Sequence, residues 1–316
     1  MGILGSVIRR WTQMGADERR KARDWESVED RVSVEENVMD FVKLSDEQRE
    51  FFDAEGYLVV EDVLGAEEIA RLTDACDAMM AFYDDRGRAY KQFRDGIVEE
   101  PVFRSLIAHS GTVPLVIQLL SPDIHLQNTA IIYKDPEDAE TTGPMRSWHR
   151  DIGITQEIGH AYQPRVGIKV CYCLTDFPEP DSGITRFARR SHVLNEPLGI
   201  PRGEVDPPEV VQPVCKAGDA LFFENRIFHT KSPNLSHRTS RVIIFGYSYS
   251  WIRNGFYLGN LDDDVIADLS DIEKQLLDVP LSENPNLSAR ANTYPLTDWA
   301  EEYGVTPEQV PWTVEV

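Results

Sequence analysis

The second half of the chain is broken into short runs of β-branched and aromatic residues, and this rhythm restricts the fold more than any other feature. The runs at 124–133, 166–174, 220–224 and 242–249 are separated by clusters of Gly, Pro, Asp and Asn. Such punctuation fits many short strands in a sandwich or barrel. None of the runs leads into a Gly-rich phosphate loop and a helix, so a Rossmann or P-loop fold has no support.

The first third reads differently. Ser45 with Gln48 three residues on forms a capping box; Phe51 and Phe52 supply an apolar face, and Gly56 closes the helix. A short strand follows at 57–60. From Ala66 to about Arg86, Ile69, Leu72, Cys76, Met79, Met80 and Tyr83 recur at three- and four-residue steps, the signature of an amphipathic helix. A second helical stretch at about 102–120 is interrupted near Gly111 and Pro114. Helices followed by strands predict an α+β chain. Residues 14–40 are dense in mixed charge and read as a solvated helix or loose arm. The expected organisation is a charged arm at 1–44, one domain at 45–253, and an extension at 254–316 that packs on the core or at a dimer interface.

Charge and cysteine usage narrow the partners. With 54 Asp plus Glu against 32 Lys plus Arg, the formal net charge is -22. Such a surface repels phosphate backbones and anionic membranes, and no basic stretch compensates, so nucleic acid is not an expected partner. Cys76, Cys171, Cys173 and Cys215 form neither a disulfide framework nor paired zinc-binding CxxC motifs, and Cys171 and Cys173, on either side of Tyr172, are expected to be buried thiols. There is no apolar run of the roughly 18–20 residues a membrane span needs, and no signal-peptide pattern. A cytoplasmic location without stable membrane insertion is expected. Met1 to Ser6 satisfies the loose N-myristoylation pattern at Gly2, although one acyl chain anchors only marginally.

The chemistry concentrates in Ser147-Trp148-His149-Arg150-Asp151. On extended backbone, residues i and i+2 point the same way, so His149 and Asp151 can reach one point while Arg150 faces elsewhere. A second block, Gly218 to Phe223, reads as a turn into an apolar strand and leads to Phe228-His229. One carboxylate and two imidazoles on a β scaffold match the facial triad that leaves positions open on Fe(II) for a co-substrate and O2. A 2-oxo acid can supply the electrons for O2 cleavage, and its distal carboxylate then needs a cation in the barrel. Arg suits this through its planar fork. Arg238 and Ser240 would share one strand face, with Arg241 on the other unless a bulge exchanges them.

The stretch from about Ser45 to Tyr249 resembles the phytanoyl-CoA dioxygenase family of Fe(II)/2-oxoglutarate-dependent oxygenases. The residues that carry the resemblance are "F..EGYLVVEDVL" (Phe52 to Leu64), Gln127 and Lys134, "WHRD" (148–151), "SGITRFARRSH" (182–192), "GDALFF" (218–223), and His229 with Pro233, Asn234 and Ser236. The resemblance implies a double-stranded β-helix (jelly-roll, cupin-like) core braced by N-terminal helices. It implies His149, Asp151 and His229 as iron ligands, with Gln127 and Lys134 on a strand near 2-oxoglutarate. Many relatives carry the carboxylate-binding Arg where this chain has Ser240, which leaves Arg238 and Arg241 as the candidates. Halogenating relatives replace the metal carboxylate with a small residue; Asp151 is present, so hydroxylation or another oxidation is expected.

The expected activity is oxidation of a small organic substrate, with 2-oxoglutarate decarboxylated to succinate. Desaturation, cyclisation or epimerisation would use the same site, and a cupin-like binding protein is the rival from another class. Arg150, together with Arg186, Arg189 and Arg190, suggests an anionic substrate. The assembly expected is a monomer or homodimer.

Overall fold

The computed structural model describes residues 41–81, 88–94, 96–139, 146–153, 155–253, 261, 263–279 and 295–305. Gly2 and the charged stretch at 14–40 lie outside the described residues. Helix α1 (Asp46–Glu55) starts at the expected capping box, with Ser45 Oγ accepting from the Gln48 amide and Gln48 Oε1 from the Ser45 amide. Gly56 ends it in the left-handed region at φ 80°, where a Cβ would also lie 2.8 Å from the His192 ring. Strand β1 (Tyr57–Val60) leaves this turn. Helix α2 (Ala66–Met80) buries Leu72, Cys76, Met79 and Met80, the stripe its periodicity predicts. The helical stretch at 102–120 is two pieces, α3 (Pro101–Arg104) and the wholly buried α4 (Val113–Leu119), each with proline in its first turn, where a missing N–H costs nothing.

The remaining strands are β2 (Tyr90–Phe93), β3 (Ile124–Lys134), β4 (Gly167–Cys173), β5 (Thr185–Ala188), β6 (Val210–Val211), β7 (Ala220–Glu224), β8 (His229–Lys231) and β9 (Ser240–Tyr249). They form an antiparallel six-stranded sheet in the order β1-β7-β4-β9-β3-β2 and a three-stranded sheet in the order β6-β5-β8. The chain is thus mixed helix and antiparallel sheet. Alternation along each strand sorts the side chains into two cores. On the outer face of the large sheet, Tyr133, Val170, Tyr172, Phe222 and Phe245 pack with residues of α2 and α4. On its inner face, Ala130, Cys171, Cys173, Leu221, Phe223, Val242 and Ile244 meet Ile184 and Phe187 from the small sheet's side. Phe187 stacks on Tyr57 at 5.2 Å and meets Phe223 at 5.2 Å, so one ring joins both sheets. Burying a side chain of this size contributes about 1.5–3 kcal/mol.

One irregularity bears on the site. Strand β3 carries a bulge between Leu126 and Asn128, which leaves Gln127 out of the pairing with β9. Helix α5 (Thr155–Ile158) lies between β3 and β4; beyond β9, the described part of the C-terminal region comprises α6 (Asp263–Ala267), α7 (Asp271–Leu276) and α8 (Pro295–Glu302). Gln275 donates to the carbonyls of Pro122 and Ile124, and His125 pairs with Asp278 at 2.7 Å. These contacts tie the C-terminal helices to the start of β3. All four cysteines are buried and free. Among the described residues, no helix is long and apolar enough to cross a membrane.

Candidate metal centre

His149 and His229 are held opposite each other by backbone. His149 forms an isolated antiparallel bridge to the first residue of β8, with amide–carbonyl bonds of 3.1 and 3.0 Å in the two directions. The imidazole centroids are 4.3 Å apart. Each ring turns Nδ1 onto a carbonyl two residues back: His149 onto Ser147 at 2.8 Å and His229 onto Ile227 at 3.0 Å. A carbonyl only accepts, so both Nδ1 atoms carry a proton, and in a neutral ring Nε2 is then the atom left to ligate.

Asp151 follows on a turn anchored from both sides. Its amide donates to the Asn225 carbonyl at 3.0 Å, and Asn225 Oδ1 in turn accepts the amides of Val166 and Gly167. Trp148 Nε1 donates to Val205 O and Asp206 Oδ1. Arg150 points away, donating to the carbonyls of Ser191 and Leu194 at 2.7 and 2.8 Å with its guanidinium 4.4 Å from the Phe228 ring centroid. Ile152 sits at φ 59°, an unfavourable conformation for a β-branched residue. Its Cδ1 occupies the space above Gly167, where a Cβ would come within 2.9 Å.

The carboxylate is used asymmetrically. Oδ1 accepts from Lys169 Nζ at 2.7 Å, while Oδ2 is buried without a hydrogen-bond partner, 3.7 Å from His229 Nε2. One ligand atom from each of His149, Asp151 and His229 lies within 4.8 Å of the others. An orphaned carboxylate oxygen beside two imidazole lone pairs is a donor set that suits a divalent transition metal. Burial alone would raise the Asp151 carboxyl, but Lys169 and the neighbouring His229 outweigh it and hold the group at about 2. Burial lowers His229 to about 4 despite the pull of Asp151, so its imidazole is neutral and ready to ligate.

A cavity of about 350 Å³ opens on this group, lined by His149, Asp151, Ile152, Lys169, Gln127 and Asn128 among others. The bulge in β3 puts Gln127 on this lining. Other expected site residues lie elsewhere. Lys134 is buried on β3, with Nζ on the Ser232 carbonyl and 3.3 Å from Glu137; burial lowers it to about 8, against the pull of Glu137. Ser240, its cross-strand partner, packs against Gly183. Neither expected arginine lines the cavity. Arg238 precedes β9 and donates to the Asp176 carbonyl at 3.1 Å, with 42% of its side chain exposed. Arg241 is on the outer face, against Asp77 and the Tyr133 ring. The arginines expected to greet an anionic substrate all have partners within the chain: Arg186 with Asp181 and Asp206, the half-exposed Arg189 and Arg190 with Glu55, and Arg150, which borders the cavity, with the carbonyls above. Sequence reasoning missed Lys169 and Asn128. A lysine inside the apolar run Gly167–Cys173 was the available signal, since charges are rarely buried unless paired.

Set against known proteins, residues 52–243 match the family model described as phytanoyl-CoA dioxygenase (PhyH). The chain belongs to the phytanoyl-CoA dioxygenase family, a dioxygenase-type oxidoreductase of the class that works with iron and 2-oxoglutarate. Its fold is similar to that of HygX from Streptomyces hygroscopicus, solved with nickel and 2-oxoglutarate bound, at 20% identity and TM-score 0.56 over 71% of this chain and 94% of that one. HygX has also been solved with hygromycin B bound. It is similar as well to SnoN, a non-heme alpha-ketoglutarate-dependent epimerase from nogalamycin biosynthesis, at 19% identity and TM-score 0.51 over 64% of this chain and 82% of that one. No curated protein matches the chain by sequence.

Proposed function

We propose that His149, Asp151 and His229 hold ferrous iron on a double-stranded β-helix core, and that the enzyme oxidises an unactivated C–H bond of a small organic molecule while 2-oxoglutarate is decarboxylated to succinate and CO2. The observation that carries this reading is the orphaned Asp151 Oδ2 converging with two tautomer-fixed Nε2 atoms. When bound, the iron supplies the O2 chemistry. The chain supplies the rest: Ser147 and Ile227 carbonyls orient the imidazoles, Lys169 holds the carboxylate, and the inner core of Phe187, Phe223 and Ile244 keeps bulk water from the rear of the site. Gln127, on the cavity lining, is assigned to the reacting partners. Residues 45–253 form the catalytic unit, and the contacts of Gln275 and Asp278 with β3 support an extension packed on it. A small-molecule substrate is supported by the hygromycin B and nogalamycin RO complexes of the two neighbours.

Anaerobic loading with Fe(II), followed by 2-oxoglutarate and air, tests the reading. Succinate release is expected and should vanish in His149→Ala. A panel of amino acids, acyl-CoAs, terpenoids and phosphonates identifies the substrate class by stimulated turnover, and the product distinguishes hydroxylation from desaturation, cyclisation or epimerisation. No succinate from correctly loaded protein would favour a binding protein on the same scaffold.

A further inference from the structure

We propose that Lys169 is a positioning residue for the metal: its ammonium holds Asp151 as a one-oxygen ligand and, through its charge, favours the divalent over the trivalent state of the bound ion. This rests on the reading of His149, Asp151 and His229 as a ferrous centre.

The sheet places the lysine. Lys169 lies on the inner face of β4, in step with Cys171 and Cys173, and pairs with Phe223 of β7 on one side and Gly246 of β9 on the other. The Phe223 ring centroid is 5.7 Å from Nζ. Over the bare Gly246 lies the Asn128 carboxamide, with Oδ1 2.8 Å from where a Cβ would stand and Nδ2 donating to Gln127. The lysine therefore has an aromatic ring on one flank and an engaged amide on the other, and its ammonium meets Asp151 Oδ1 at 2.7 Å. With 21% of the lysine side chain and 14% of the aspartate side chain exposed, water screens the pair only in part.

Two cations on one carboxylate repel each other, so they take opposite oxygens. Oδ1 is given to the ammonium; Oδ2 is buried without a hydrogen-bond partner, 3.7 Å from His229 Nε2. Chelation through both oxygens would draw a metal towards Nζ as well. The repulsion also grows with the charge of the ion. An ammonium on a ligand carboxylate opposes a trivalent ion more than a divalent one, and it takes up part of the negative charge that the ligand could give. Arg150, the cation between the two ligands of this segment, does not share the role, because its guanidinium turns to the Ser191 and Leu194 carbonyls.

Three variants, each loaded with Co(II) and separately with iron, separate orientation from charge. Lys169→Gln still donates to Oδ1 without a charge, Lys169→Met does neither, and Lys169→Arg does both. The visible spectrum of the Co(II) protein reports how the carboxylate coordinates, and the Fe(III)/Fe(II) potential reports the charge. Lys169→Gln is expected to keep the wild-type Co(II) spectrum while its affinity for Fe(III) relative to Fe(II) rises roughly 10- to 100-fold, each factor of ten lowering the potential by about 59 mV. Lys169→Met should show the same fall in potential together with a changed Co(II) spectrum, and Lys169→Arg should stay near wild type in both. Thermal melts of the loaded proteins identify a variant that has not folded, and should Lys169→Met be lost in this way, Lys169→Gln still reads the charge. A wild-type potential in folded Lys169→Gln would overturn the proposal, as would a wild-type Co(II) spectrum in folded Lys169→Met. If the wild-type protein takes up neither Co(II) nor iron, it is the functional reading itself that fails.

Discussion

Replacing Asp151 with asparagine keeps the shape of the side chain and removes its charge, so it isolates what that charge does before any metal arrives. The carboxyl is held at about 2, against an ordinary value near 3.9. Burial works against this, and Lys169 and His229 supply the larger opposing attraction. The difference corresponds to roughly 2–3 kcal/mol favouring the folded state. Because the folded value lies below the unfolded one, that contribution is complete at neutral pH and is lost only as pH falls from about 4 towards 2. Asp151→Asn should therefore destabilise the metal-free protein by about 2–3 kcal/mol at pH 7, measured by urea denaturation in chelator. It should also abolish Ni(II) binding. With Lys169 donating at 2.7 Å, the amide must present its oxygen there and turn its NH2 to the place of the orphaned oxygen. A variant as stable as wild type, or one that still binds Ni(II) with wild-type affinity, would refute this account of the site.

Other expectations are more compact. His229 stays neutral down to about 4 when folded, whereas a free imidazole protonates near 6.5; its contribution is complete above 6.5 and is lost as pH falls towards 4, by up to about 3 kcal/mol. Urea melts across that window should show a shallower decline for His229→Gln, and an unchanged slope would contradict the assignment. Arg238→Met and Arg241→Met should leave 2-oxoglutarate affinity within about twofold, since both guanidinium groups are engaged by acids away from the cavity; a tenfold loss in either would return the co-substrate to that arginine. Glu224 is fully buried and accepts from Arg165 and from Arg226 at 2.8 and 2.9 Å, so Glu224→Gln should cost about 3–5 kcal/mol in denaturation, and under 1 kcal/mol would show the network to be dispensable.

What could be read in advance follows from how local each signal is. The Ser45–Gln48 cap and the left-handed Gly56 depend on a few consecutive residues and were legible. The long strands β3, β4 and β9 announced themselves by composition. Strands β5, β6 and β8 are too short to carry a period, and their pairing depends on partners far along the chain. The convergence of His149 with Asp151 was visible as a two-residue step, but the bond from Lys169 needs the knowledge that β4 passes beneath that turn. Arg186, Arg189 and Arg190 looked available because Asp206 and Glu55, which hold them, are 20 to 135 residues away. Arg238 was harder to place for a different reason: β9 begins at Ser240, so the shared-face argument reaches a residue still in the loop.

The bridge between His149 and His229 has a meaning beyond ligation. Strand β8 has β5 on one side, and on the other, among the described residues, His149 pairs with the backbone of His229. That segment therefore guards the open edge of the small sheet, the place where a β protein is most exposed to pairing with a second chain. Damage to the ligand segment would then do two things at once, ending turnover and uncovering an adhesive strand, so inactive variants of this segment should be recovered disproportionately as aggregates.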